Sequence, residues 1–67
     1  MAYDLVGIDG NAFSIIGYTE KAMRAVKYTI EEIKAYRQKA MSGDYDHLIA
    51  VSADQVEECN KRLEGAK

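Results

Sequence analysis

Leu5-Val6-Gly7-Ile8-Asp9-Gly10-Asn11-Ala12-Phe13 joins two kinds of pattern at a polar break. Tyr3 to Ile8 is rich in residues that favour extended structure and reads as a short strand. Asp9-Gly10-Asn11 breaks it: Gly10 can take a positive φ, and Asp9 or Asn11 can accept backbone N–H groups at a helix start. From Ala12 the apolar period changes. Ala12, Ile15, Ile16, Thr19, Ala22, Met23 and Val26 recur at spacings of three and four, which predicts one buried helix face. Gly17 lies inside this run. It costs roughly 1 kcal/mol against Ala in a helix interior, so it marks either a close packing contact, the preferred reading, or a break that divides the helix.

The next helix carries the clearest local signature. Thr29 followed three positions later by Glu32 makes a capping box, and Tyr28 can staple onto Ile33. The helix is expected from about Ile30 to Met41, burying Ile30, Ile33, Ala40 and Met41, with Ala35 and Tyr36 nearer its edge. Ser42-Gly43 ends it, with Gly43 suited to the left-handed position after a helix, and Asp44 caps the next element. Leu48, Ile49 and Val51 fit either a short helix or a strand. The preferred reading is a short helix from about Tyr45 to Ala50. A second capping box at Ser52 and Gln55 then opens a helix from about Ala53 to Glu64, with Val56, Cys59 and Leu63 at helical spacing. The expected class is α+β, mostly α. One short N-terminal strand is followed by three to four short helices in a single small domain.

A chain of 67 residues lies in the range where one core is marginal. Cys59 is its one cysteine, which excludes an intrachain disulfide and a four-cysteine zinc site and suits a reducing cytoplasm. The start has neither the basic residues nor the long apolar run of a signal peptide, and the run from Leu5 to Ile8 is too short to span a bilayer. A lone strand also presents an unpaired edge. Both the small core and that edge predict a homo-oligomer.

The net charge of −2 hides an asymmetry. From Lys21 to Lys39 six bases face two acids, a balance of +4, and from Ala40 to Glu64 six acids face two bases, a balance of −4. The basic middle can attract a phosphate-bearing ligand or pair with the acidic part of the same or another chain. Its tyrosines could stack on a nucleobase or line a self-association surface. Duplex DNA binding is not expected from a pI of about 5.2 without a dedicated basic helix. Asp9-Gly10-Asn11 before a helix has the ingredients of an anion site but no phosphate-loop fingerprint. Asp44, Asp46 and His47 bring three potential metal ligands within four residues, with Asp9 as the one further candidate, yet Asp44 as a cap explains the same pattern. Ser14, Ser42 and Cys59 have no motif that makes them nucleophiles. The residues point to a non-enzymatic binding protein without cofactor or metal. Its candidate ligand-binding positions are Asp9, Asn11, Asp44, Tyr45 and His47, with Arg24 and Arg37 as phosphate partners.

Leu5 to Phe13 taken with Ser42-Gly43-Asp44-Tyr45-Asp46-His47-Leu48 resembles a family of small, uncharacterised proteins found in phages and prophages. The resemblance runs over nearly the whole chain. It implies a stoichiometric binder working in a bacterial host cytoplasm. It implies two kinds of target: a phosphate-bearing nucleotide signal of host defence, sequestered between copies, or, as the alternative, a host protein blocked through an exposed surface.

Overall fold

The computed structural model describes residues 3–65 and contains three helices: α1 (Ala12–Ala25), α2 (Ile30–Ala40) and α3 (Tyr45–Gly65). Among the described residues there is no strand. The fold is mainly α, which corrects the α+β expectation, and the correction lies wholly in residues 3–8. Their backbone is satisfied by side chains rather than by a neighbouring strand. Asn60 on α3 accepts from the Tyr3 N–H (3.0 Å) and donates its own amide to the Tyr3 carbonyl (2.9 Å), so one side chain does what a paired strand would do. The Asp4 N–H donates to the Tyr18 hydroxyl (2.9 Å), and the Val6 N–H to the Asp4 carboxylate (2.9 Å). The Ile8 N–H closes a turn on the Leu5 carbonyl (3.1 Å), and Gly7 takes the positive φ of +88° within it. Propensity favours an extended chain here, but a turn and tertiary hydrogen bonds decide. With no lone strand, the unpaired-edge argument for a homo-oligomer falls away.

The helix faces follow the apolar period closely. Ile15, Ile16, Thr19, Ala22, Met23 and Val26 are buried, as their spacing predicts, and Asn11 caps α1 by accepting from the Phe13 N–H (2.8 Å). Gly17 departs from expectation: it is exposed, and a Cβ built on it meets nothing within 4 Å. The turn after α1 is closed from Tyr28 N–H to Met23 O (3.0 Å) and from Lys27 N–H to Arg24 O (3.1 Å), the Schellman pattern, with Lys27 itself in the left-handed region at φ 73°. Arg62 of α3 seals the same corner. Its guanidinium lies 3.7 Å from the Tyr28 ring centroid and donates to the Val26 carbonyl (3.3 Å).

The capping box of α2 is present as the sequence predicts. Glu32 N–H donates to Thr29 Oγ1 (3.1 Å) and Thr29 N–H to Glu32 Oε1 (2.8 Å). That backbone bond holds the Glu32 carboxyl below its ordinary range. Its stabilising contribution is therefore in place above the unfolded value and is lost as the pH falls through the lowered one. The buried face of α2 is Ile33, Tyr36 and Ala40, while Ile30 and Met41 stand outside it, the reverse of the assignment of Ile30, Met41 and Tyr36 from sequence. Tyr36 goes inward because its hydroxyl has a buried partner, Ser52 Oγ at 2.6 Å. The same bond explains why α3 runs unbroken through residues 51–53. Ser52 turns its hydroxyl to α2 rather than capping a new helix, so the two expected C-terminal helices are one. Val56 and Cys59 face the core, and Leu63 does not.

Two substitutions test these contacts. Lys27→Gly removes the left-handed penalty and is expected to raise the unfolding free energy by up to about 1 kcal/mol in urea titration. Asn60→Ala removes both bonds to Tyr3 and is expected to lower it by about 1–2 kcal/mol, with faster hydrogen exchange at the Tyr3 amide.

Candidate functional site

The two motif turns meet. Tyr45 at the start of α3 donates its hydroxyl to the Gly10 carbonyl, which brings Asp9-Gly10-Asn11 and Asp44-Tyr45-Asp46-His47 to one end of the molecule. Within that cluster the polar groups serve the backbone. Asp9 Oδ1 accepts from the Asn11 N–H (3.0 Å), Asn11 caps α1, and Asp44 Oδ1 accepts from the His47 N–H (2.9 Å) as the cap of α3. His47 Nε2 lies 2.7 Å from the Lys39 carbonyl, which fixes the proton on that nitrogen, and Ser42 Oγ donates to the same carbonyl (2.7 Å). The loop thus closes the C-terminal end of α2 with side chains. Gly43 is needed for this reason and not for a left-handed backbone: a Cβ there would lie 2.7 Å from His47 Cγ.

Arg24 and Arg37, the two expected phosphate partners, are brought together by a residue that the sequence does not single out. Glu20 is only 4% exposed. Its carboxylate receives both Nε (2.6 Å) and an NH2 (2.7 Å) of Arg37, while an Arg24 nitrogen stands 3.8 Å away. The paired carboxylate, through its hydrogen bonds and then its charge, raises the Arg37 pKa above its ordinary value. Arg37 therefore bridges α1 and α2, and its removal would leave a buried carboxylate without its close partner, so its substitution would disturb the fold as well as any ligand contact. Arg24, with a side chain 63% exposed, keeps its donors free of close hydrogen bonds among the described residues.

These residues lie along a shallow seam between α1 and α2. Its walls are two stripes of i, i+4, i+7, i+11 spacing: Phe13, Gly17, Glu20 and Arg24 on α1, and Ile30, Lys34, Arg37 and Met41 along α2 and its C-cap. The short connection makes the helices antiparallel, so Phe13 faces Met41 and Arg24 faces Lys34 and Ile30. Three depressions of about 250, 430 and 120 Å³ succeed one another along it, joined by the shared residues Met41 and Arg37. Asp44 and Tyr45 border the first, Arg24 and Arg37 the last. Phe13 (77%), Ile30 (68%) and Met41 (56%) are exposed on this seam. The signal that could have found it is the second stripe on each helix, outside the buried face, with Glu20 as the only acid in α1.

The tyrosines are structural braces. Tyr36 bonds Ser52, Tyr18 accepts from Asp4 and meets the Tyr3 ring edge-on at 6.4 Å, Tyr28 lies under Arg62, and Tyr45 bonds Gly10. Burial pushes the Cys59 thiol above its ordinary value, and the side chain is fully enclosed. Among the described residues no group of three or more His, Cys, Asp or Glu side chains could hold a metal ion, and no helix is long and apolar enough to cross a membrane. Comparison with protein-family models, curated proteins and solved structures returned no match.

Gly43→Ala is expected to displace the His47 ring and cost about 1 kcal/mol of stability, read by thermal unfolding. His47→Ala should cost a similar amount, and in the double variant the two effects should not add.

Proposed function

We propose that this chain is a non-enzymatic binding module whose working surface is the α1/α2 seam, and that it acts by covering a surface of a partner protein. The observation that carries this reading is the gathering of exposed apolar side chains along one strip of so small a domain. Four of the six exposed large apolar side chains among the described residues, Phe13, Ile30, Met41 and Tyr45, border the seam. Single exposed apolar residues need no explanation, but a run of them rimmed by charge marks an interaction site. Burying each would be worth about 1.5–3 kcal/mol. The phage-type resemblance fits the same role, a stoichiometric block on a bacterial host protein in the host cytoplasm.

A second reading, sequestration of a phosphate-bearing nucleotide, is supported by one observation: Arg24 and Arg37 converge from two helices beside Lys34. It ranks below the first because the tyrosines that would stack on a base are engaged within the fold and the depression at the arginines is about 120 Å³.

The test is site-specific photo-cross-linking in the producing bacterium. A photoreactive phenylalanine at position 13 or 41 is expected to give a discrete protein adduct, and the same group at position 63, an exposed site away from the seam, is expected to give none. Equal adducts from all three positions, or none from 13 and 41, would remove the basis of the reading. An adduct of twice the chain mass would identify the partner as another copy.

A further inference from the structure

The seam has a chemistry specific enough to name its occupant, an inference that rests on its being the working surface. The two depressions between Phe13 and Ile30 carry Glu20 against Arg24, Lys34 and Arg37, a local net of +2, with Asp44 bordering the third depression beyond Met41. Arg37 saturates both oxygens of Glu20, so the surplus resides on Arg24 and Lys34, neither of which has a hydrogen-bonded acidic partner among the described residues. The positive centre lies between two apolar ends, Phe13 with Met41 on one side and Ile30 on the other. Along α2 the strip runs from residue 30 to residue 41, about 16 Å or three helical turns.

Gly17 supplies an independent observation. It sits in the middle of α1, where glycine weakens a helix, and nothing among the described residues lies within 4 Å of the place of its missing Cβ. No internal packing accounts for it. It lines the depression of about 430 Å³ between Phe13 and Met41, and its bare backbone leaves room there for a side chain or a backbone from outside.

We propose that the seam receives an amphipathic helix from a partner protein, with one or two carboxylates at its centre held by Arg24 and Lys34, and apolar side chains on either flank, one of them seated over Gly17. A helix laid on two antiparallel helices buries its apolar stripe by the same ridge-and-groove packing that holds the domain together. A second copy docked centre to centre would set the Arg24 and Lys34 charges of one chain against those of the other, which disfavours that occupant.

Selection from a displayed library of helical miniproteins, with randomised surface positions, against the immobilised full chain tests the proposal. The expected binders carry Asp or Glu between apolar residues, compete with one another, and weaken as salt is raised. Arg24→Ala, which leaves the Glu20–Arg37 pair intact, is expected to reduce their affinity about tenfold, and Gly17→Leu at least as much. Leucine is a strong helix former, so Gly17→Leu should raise Tm, by several degrees on the scale of about 4–8 °C per kcal/mol, while it weakens binding. That opposition separates a docking glycine from a structural one. Binders that map to the seam but lack acids would overturn the proposed occupant and leave the seam intact as the working surface. Binders unaffected by Gly17→Leu, or no enrichment at all, would overturn the inference. A wild-type dimer in light scattering that Gly17→Leu dissolves would overturn it in favour of a second copy.

Discussion

The Glu20–Arg37 pair is the constraint around which this molecule is arranged. A carboxylate that is 4% exposed is tolerable only when its oxygens are filled, and Arg37 fills both with a planar fork. Because the donor stands on α2 and the acceptor on α1, the pair fixes how far one helix slides along the other. That register sets Phe13 opposite Met41 and brings Arg24 beside Lys34. A nonpolar pair at the same place could hold the helices together but would leave their sliding position softer. The contribution of such a pair lies more in geometry than in net stability, since the desolvation of Glu20 offsets much of the attraction.

The remainder of the fold meets its small size by a repeated device: a side chain from a distant helix closes the backbone of each turn. Asn60 holds Tyr3, Tyr18 holds Asp4, Tyr45 holds Gly10, His47 holds the end of α2, and Arg62 holds the end of α1. Each bond is worth little by itself, on the order of 1 kcal/mol. Together they replace the disulfide or metal that a chain of this length commonly needs, and they leave none of the buried side-chain polar atoms of the described residues unpaired.

That device also explains what is legible in the sequence. Signals between near neighbours read well: the caps at Asn11, Thr29 and Asp44, the capping box at Glu32 and the buried stripe of α1. Each depends on residues within one or two turns of one another. Signals between distant residues do not. The run from Tyr3 to Ile8 has the composition of a strand yet forms a turn: Asn60 is 57 positions away from Tyr3, and nothing local announces that it will take over the pairing. Ser52 has the local pattern of a cap because its partner Tyr36 is 16 positions back. Of the candidate ligand positions, Asp9, Asn11, Asp44, Tyr45 and His47 do gather at one end of the molecule, but the bonds that unite them are those of capping and turn closure. Arg24 and Arg37 do converge, through a glutamate whose importance depends on burial that a sequence does not display.

The seam is best understood by asking what selection for stability alone would have done with it. A domain at the lower limit of core size gains from any apolar side chain it can enclose, yet Phe13, Ile30 and Met41 stand outside, and a helix interior carries glycine where alanine would strengthen it. These departures fall on one strip. The opposite faces of the same helices carry a fully satisfied, closely packed core, so the chain is capable of efficient burial and applies it elsewhere. Val6 and Leu63 are exposed elsewhere, so it is the coincidence of three apolar side chains with an unpacked helix glycine on one strip that supports the proposed reading of that surface. The polar motif turns, which hold most of the chain's candidate ligand groups, have a different role. They lock the ends of α1, α2 and α3 to one another, and so fix the geometry of the strip between them.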